Sequence, residues 1–157
     1  MPPYLTPLYQ DDLAALGLPP EWRFAMADRV RFHELDALNH VNNAVFFSWF
    51  ETVRVAYVRD YGVSQYTPAD PRLVIRETSC RFIQEMRLDE PYLLAARTTR
   101  FRRTSFTMEF AVFSETLRAT GQAVIVALHQ DGSGRQPLSE DVKATFVQRD
   151  GAIDDSA

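Results

Sequence analysis

Four side chains able to move a proton or polarise a carbonyl fall within eight residues, Asp36, His40, Asn42 and Asn43, in the run R-F-H-E-L-D-A-L-N-H-V-N-N. A carboxylate can act at an acyl carbon as general base or as nucleophile, and an imidazole can orient it or contact the substrate. The apolar stretch A-V-F-F-S-W-F-E-T-V-R follows at once, so the cluster stands where a strand-like segment turns into a helix. Helix starts gather unpaired backbone N–H groups, which are ready donors for an oxyanion. Each residue also has a plain structural reading. Asp36 and the two Asn suit helix or turn caps, and a lone loop His is commonly structural.

Elsewhere the chemistry is sparser. Arg102 and Arg103, with Arg100 nearby, form a basic cluster near a strand end, followed by Thr104 and Ser105. The guanidinium fork binds oxyanions through two hydrogen bonds, so the cluster reads either as a phosphate clamp or as solvated strand-end charge. Glu51 and Arg54 stand at i, i+3 on the helix and predict a mutual ion pair. Three His, at 33, 40 and 129, show no metal-ligand spacing. There is no phosphate-loop or dinucleotide glycine pattern and no G-x-S-x-G elbow. The single Cys80 excludes an internal disulfide and a cysteine zinc site, and reads as a small core residue in a strand.

The elements that must position these residues are legible from periodicity. The 157 residues fit one domain, and 46% apolar with 12% aromatic content supports a core. The net charge of −4 argues against a nucleic-acid surface, although 16 of the 17 basic residues are Arg, a bias that genome base composition explains first. Residues 1–22 carry five of the nine prolines and predict a surface extension, with a short helix over 11–16 capped by Asp11 and stopped by Gly17. A first strand is expected over 24–33. The long helix follows over 44–61, with Phe46, Phe50, Val53 and Tyr57 in one stripe and Phe47, Trp49, Val55 and Val58 making its other faces apolar too. Such a helix is expected to be buried. Strands follow over 73–85, 92–102, 105–115 and 119–130 as antiparallel neighbours, with no second strong helix and a mobile tail at 148–157. A sheet wrapped around one helix leaves edges uncovered, which predicts a second copy. The N-terminus lacks a secretory pattern and no segment approaches the roughly 20 apolar residues of a membrane span, so a soluble cytoplasmic protein is expected.

At these residues the chain resembles the hotdog-fold acyl-CoA thioesterases, in particular the 4-hydroxybenzoyl-CoA thioesterase-like branch. The matching residues are Asp36, then His40, Val41, Asn42 and Asn43 in a G-H-V-N-N-type turn, then Trp49, Phe50 and Glu51 in a W-F-E-like helix core. R-E-T-S-C-R-F-I-Q-E-M-R, T-S-F-T-M-E-F and A-T-G-Q-A-V-I-V-A-L resemble the later strands, so coverage runs from about 25 to 145. Asn39 replaces a common Gly, which Asn's tolerance of left-handed backbone permits. The resemblance implies an α+β hotdog domain over 23–147 that works as a homodimer or homotetramer, with the active site at the subunit interface. It implies hydrolysis of an acyl-CoA thioester, Asp36 as the catalytic carboxylate and a backbone N–H near Asn43 aimed at the substrate carbonyl. His40 either orients the carboxylate, contacts the carbonyl or lines the wall. Arg102, Arg103 and Ser105 become the coenzyme A-binding residues, and no metal or redox cofactor is implied.

Two other functions compete. A hotdog hydratase or dehydratase would carry its Asp and His in D-x-N-P-x-H, whereas D-A-L-N-H has neither that spacing nor the Pro. A non-catalytic acyl-CoA sensor would not need a carboxylate at Asp36. Acyl-chain identity, and base against nucleophile for Asp36, stay open.

Overall fold

In the computed structural model, which describes residues 2–156, α2 (Asn43–Asp60) lies in the concave face of one seven-stranded sheet. The other elements are β1 (Leu8–Tyr9), α1 (Gln10–Ala15), β2 (Phe24–Arg29), a 3-10 turn at Phe32–Glu34, β3 (Arg72–Phe82), β4 (Pro91–Phe101), β5 (Ser105–Ser114), β6 (Thr116–Leu128), α3 (Glu140–Asp150) and β7 (Ile153–Asp154). The main path runs β1-β2-β4-β5-β6-β3, all antiparallel, with β7 added in parallel to β4. This is the α+β hotdog architecture. Its strand order corrects one expectation. β3 does not neighbour β4; it crosses over to pair with β6 and becomes the far edge of the sheet.

The alternation in β5 is realised as expected, with Phe106, Met108, Phe110 and Val112 buried in the main core. Phe50 on α2 stacks on Phe110 at 5.0 Å, and Gly121 on β6 leaves room for its ring. Each such ring buried contributes about 1.5–3 kcal/mol. Phe46, Trp49, Phe50, Val53, Tyr57 and Val58 are buried, but α2 is not enclosed on every side. Phe47, Ser48, Glu51 and Thr52 face out. Of these four only Phe47 is apolar, so the helix is not greasy on every side as its periodicity suggests.

The N-terminal segment packs on the opposite, convex face. Leu8, Leu13 and Trp22 join Ala25, Ala27, Ala95 and Ala111 in a second apolar cluster, so the sheet is covered on both sides over β2, β4 and β5. The short helix starts at Gln10, ahead of the expected Asp11 cap, because Asp12 accepts the Tyr9 N–H at 3.1 Å. The first strand stops at Arg29, and residues 32–34 form the 3-10 turn instead.

A second substantial helix, α3, was not expected. Ser139 caps it by accepting the Val142 N–H at 3.2 Å, and Gly151 ends it at φ +66°. Its last residue, Asp150, accepts the Thr98 N–H at 2.8 Å and the Tyr61 hydroxyl at 2.6 Å, and also meets the Tyr57 hydroxyl. Burial pushes the Asp150 carboxyl up, and these donors oppose the shift without cancelling it. Where a mobile tail is predicted over 148–157, the structure places the end of α3 and β7. Asp155 N–H reaches Phe101 O at 2.8 Å, and Ala157 lies outside the described residues. Among the described residues, no helix is long and apolar enough to cross a membrane.

Candidate functional site

The loop from β2 to α2 is built around a residue that the motif does not single out. Glu34 is buried; its Oε1 accepts the Arg31 N–H at 2.7 Å and its Oε2 accepts Trp49 Nε1–H at 2.7 Å. Its carbonyl accepts the Asn42 N–H at 2.9 Å. One side chain thus ties the loop to the first turns of α2. No sequence spacing marks it, although an acid beside a Trp-containing helix start is the type of residue to inspect.

Within the loop, Asp36 N–H donates to His40 O at 2.8 Å and Asn39 N–H to Asp36 O at 3.1 Å. Asn39 takes φ +60°, the left-handed conformation that its place in the motif requires. Asp36 Oδ1 accepts the backbone N–H groups of Leu38 at 2.8 Å and His40 at 3.3 Å. Its second oxygen, Oδ2, has no hydrogen-bond partner among the described residues. The turn-capping reading of Asp36 is therefore real, and it occupies only half of the carboxylate. The helix cap is a different residue. Asn42 Oδ1 accepts the Ala44 N–H at 3.0 Å, and Asn42 O accepts Val45 N–H at 2.9 Å. Asp36 precedes α2 rather than opening it. Asn43 is the first helical residue, and its backbone N–H has no partner among the described residues.

Asp36, His40, Asn42 and Asn43 line one open cavity of about 430 Å³, whose lining is completed by Val41, Phe46 and residues 82–86, from the end of β3 onward. Val41 N–H donates to Met86 O at 2.9 Å and holds the two walls in register. The His40 side chain turns away from the Asp36 carboxylate; its Nε2 lies 2.9 Å from Glu85 Oε2. Half-exposed Phe82 and Ile83 form the lip. The ingredients are a carboxylate with one free oxygen, an imidazole, and a helix start with a free N–H. They suit attack at a carbonyl carbon with stabilisation of the resulting oxyanion.

The arginine cluster lies elsewhere. Arg102 and Ser105 border a second cavity, of about 270 Å³, with Arg76, the unpaired residue of the β3 irregularity, and Arg100, beside the β4 one. Arg103 is exposed on the same hairpin but does not line that cavity. Phe82 pairs with Ala119 and Ala119 with Val112, seven residues along β5 from Ser105. At about 3.4 Å per residue the two cavities are roughly 24 Å apart along one chain. Within a single chain, Arg102, Arg103 and Ser105 are not brought to Asp36. The Glu51–Arg54 pair forms as expected, at 3.7 Å. Cys80 is half-buried, and burial pushes its thiol up to about 11, consistent with an inert residue. Among the described residues, no group of three or more His, Cys, Asp or Glu is placed to hold a metal ion.

Comparison with known proteins adds relatives. The sequence profile of the thioesterase-like superfamily matches residues 30–146. A thioesterase-superfamily structure from Jannaschia sp. CCS1 is 43% identical over all of both chains, with a TM-score of 0.94. A thioesterase from Thermus thermophilus, solved with coenzyme A and Zn, is 29% identical, covers 81% of this chain and 93% of its own, and gives a TM-score of 0.71. The Bacillus subtilis (strain 168) protein YsmA is 23% identical over 135 residues, 81% of this chain and 90% of its own length.

Proposed function

We propose, from the premise that this chain belongs to the thioesterase-like superfamily, that it is a cytoplasmic acyl-CoA thioesterase using Asp36 as its catalytic carboxylate. The observation that carries the reading is the divided carboxylate. Oδ1 is held by two backbone N–H groups, and Oδ2 stands free at a cavity beside a helix start. Asp36 takes a proton from water as the water oxygen bonds to the acyl carbon. The carbonyl oxygen becomes an oxyanion facing the Asn43 N–H, whose donor needs no reorganisation. Collapse breaks the C–S bond, the sulfur recovers the proton from Asp36, and free acid and coenzyme A leave. Direct attack by Oδ2 to form an anhydride, hydrolysed in a second step, uses the same geometry.

The coenzyme A end needs a second copy. β3 ends the sheet, with its outer edge unpaired among the described residues. Long unpaired edges invite pairing. Antiparallel self-pairing about Glu77 sets Cys80 against Val74 of a second copy, two strands from that copy's Ser105 by the β3–β6 and β6–β5 registers. Three strand spacings of about 4.8 Å then bring that copy's Ser105 to roughly 14 Å from this chain's Cys80, two residues from the Phe82 wall of the Asp36 cavity. In this reading a homodimer, alone or paired into a homotetramer, completes each site, and Arg102, Arg103 and Ser105 serve the partner's substrate phosphates. Phe82, the last residue of β3, is half-exposed at that edge.

The test is free-thiol release from acetyl-, benzoyl- and palmitoyl-CoA by the wild-type protein. Release from at least one supports hydrolysis; tight binding of all three with release from none replaces it with the sensor reading.

A further inference from the structure

The structure assigns Glu85 as a positioning residue for His40, one that rests on the thioesterase reading of the same cavity and fixes which imidazole nitrogen the substrate meets. Glu85 follows β3 and uses its two carboxylate oxygens separately. Oε2 lies 2.9 Å from His40 Nε2, and Oε1 accepts Arg87 Nη2–H at 2.9 Å. The Arg87 hydrogen bond is the largest influence holding the Glu85 carboxyl below its usual range, with His40 adding to it. An ionised carboxylate has no proton to offer and repels a nitrogen lone pair at 2.9 Å, so this ion-pair contact favours the proton on His40 Nε2. Nε2 is thereby committed, and Nδ1 is left without a partner among the described residues.

The backbone beneath the imidazole is held in place. The His40 backbone is held on both sides by Asp36, through N–H to Oδ1 at 3.3 Å and C=O to N–H at 2.8 Å. The neighbouring Val41–Met86 bond at 2.9 Å fixes the loop against the segment carrying Glu85. His40 and Glu85 both line the Asp36 cavity, so Nδ1 is the nitrogen available to a thioester bound there. The pair is partly exposed, with side chains 27% and 46% accessible, and adds little to stability. Its effect falls on tautomer and orientation.

The test reads the tautomer directly. In 15N-labelled protein only His33, His40 and His129 contribute imidazole signals, and long-range 1H–15N spectra report which nitrogen is protonated. Wild type is expected to show His40 protonated at Nε2. Glu85→Gln keeps an acceptor and retains that state, whereas Glu85→Ala gives mixed tautomers. With the thioester cleaved by wild type, Glu85→Ala is expected to lower kcat about tenfold, part of the roughly 10²–10⁴-fold a positioned proton-transfer group contributes. KM stays within about twofold, since the group acts on the reacting centre rather than on substrate binding. Glu85→Gln recovers most of kcat, and Arg87→Ala, which removes the other tether, gives a smaller loss. An unprotonated Nε2 in wild type, or a Glu85→Ala kcat equal to wild type, overturns the assignment. Should wild type cleave no thioester, the functional reading fails while the spectra still decide the His40–Glu85 arrangement.

Discussion

Gly121→Ala is the most informative single methyl that can be added to this fold. A Cβ built at Gly121 meets Phe50 Cε2, Cζ and Cδ2 at 2.3, 2.7 and 2.9 Å, against 3.4–4 Å for ordinary contact. The ring or its helix must therefore retreat by about 1 Å, the kind of overpacking that costs typically 1–3 kcal/mol. Phe50 cannot rotate aside cheaply, because it is 1% exposed and stacked on Phe110 at 5.0 Å with planes 12° apart. The cost is expected near the upper end, about 3 kcal/mol, which for a domain of this size lowers Tm by roughly 6–12 °C. Circular dichroism melts of wild type, Gly121→Ala, Phe50→Leu and the double variant form a cycle. The double variant should be more stable than the two single losses predict, because removing the ring removes the clash. A Gly121→Ala melt within about 2 °C of wild type would refute this seating of α2 on β6. The site depends on that seating, since Phe50 and Asn43 belong to one rigid helix.

Three further outcomes separate backbone from side-chain roles and test the buried acid. Asn42→Ala is expected to lose about 1 kcal/mol of stability in denaturant melts, the value of a helix cap, whereas Asn43→Ala keeps kcat within about twofold because its donor is a backbone N–H. Loss of activity in Asn43→Ala with an intact fold would place the function in the side chain. For Asp150, the folded carboxyl lies above its unfolded value because burial dominates. The native state therefore retains a proton that the unfolded chain releases, and this stabilisation is lost as pH rises through the folded value. The stability of wild type relative to Asp150→Asn should accordingly fall as pH rises from the unfolded carboxyl range; a rising difference would contradict it.

The gathering of Asp36, His40, Asn42 and Asn43 on one cavity was legible because it is local. Eight consecutive residues carry the turn, and Asn39 supplies the one left-handed position. The long helix and β5 were legible because their apolar periods match a single core face. What escaped is mostly non-local. Glu34 and Glu85 act on residues that no spacing links to them, and the β3–β6 pairing depends on a crossover between distant segments. β6 begins at Thr116 rather than 119 because Glu115 makes the turn at φ +64°, a position normally signalled by Gly. α3 was signalled by Ser139 and Gly151, but Val142 and Phe146 are its only buried residues, too sparse a stripe to stand out. Its true anchor is a carboxylate, Asp150, at the helix end where an acid is least expected.

The central claim is that the free oxygen of Asp36 carries the hydrolytic step. Asp36→Asn tests it with little disturbance, since the amide oxygen can keep the Leu38 and His40 N–H bonds while losing the ability to take a proton. Single-turnover thiol release, measured beside wild type on whichever acyl-CoA wild type cleaves, is expected to slow by roughly 10²–10⁴-fold with substrate affinity retained. Release at the wild-type rate would contradict the account and leave Asp36 as the cap of its own turn.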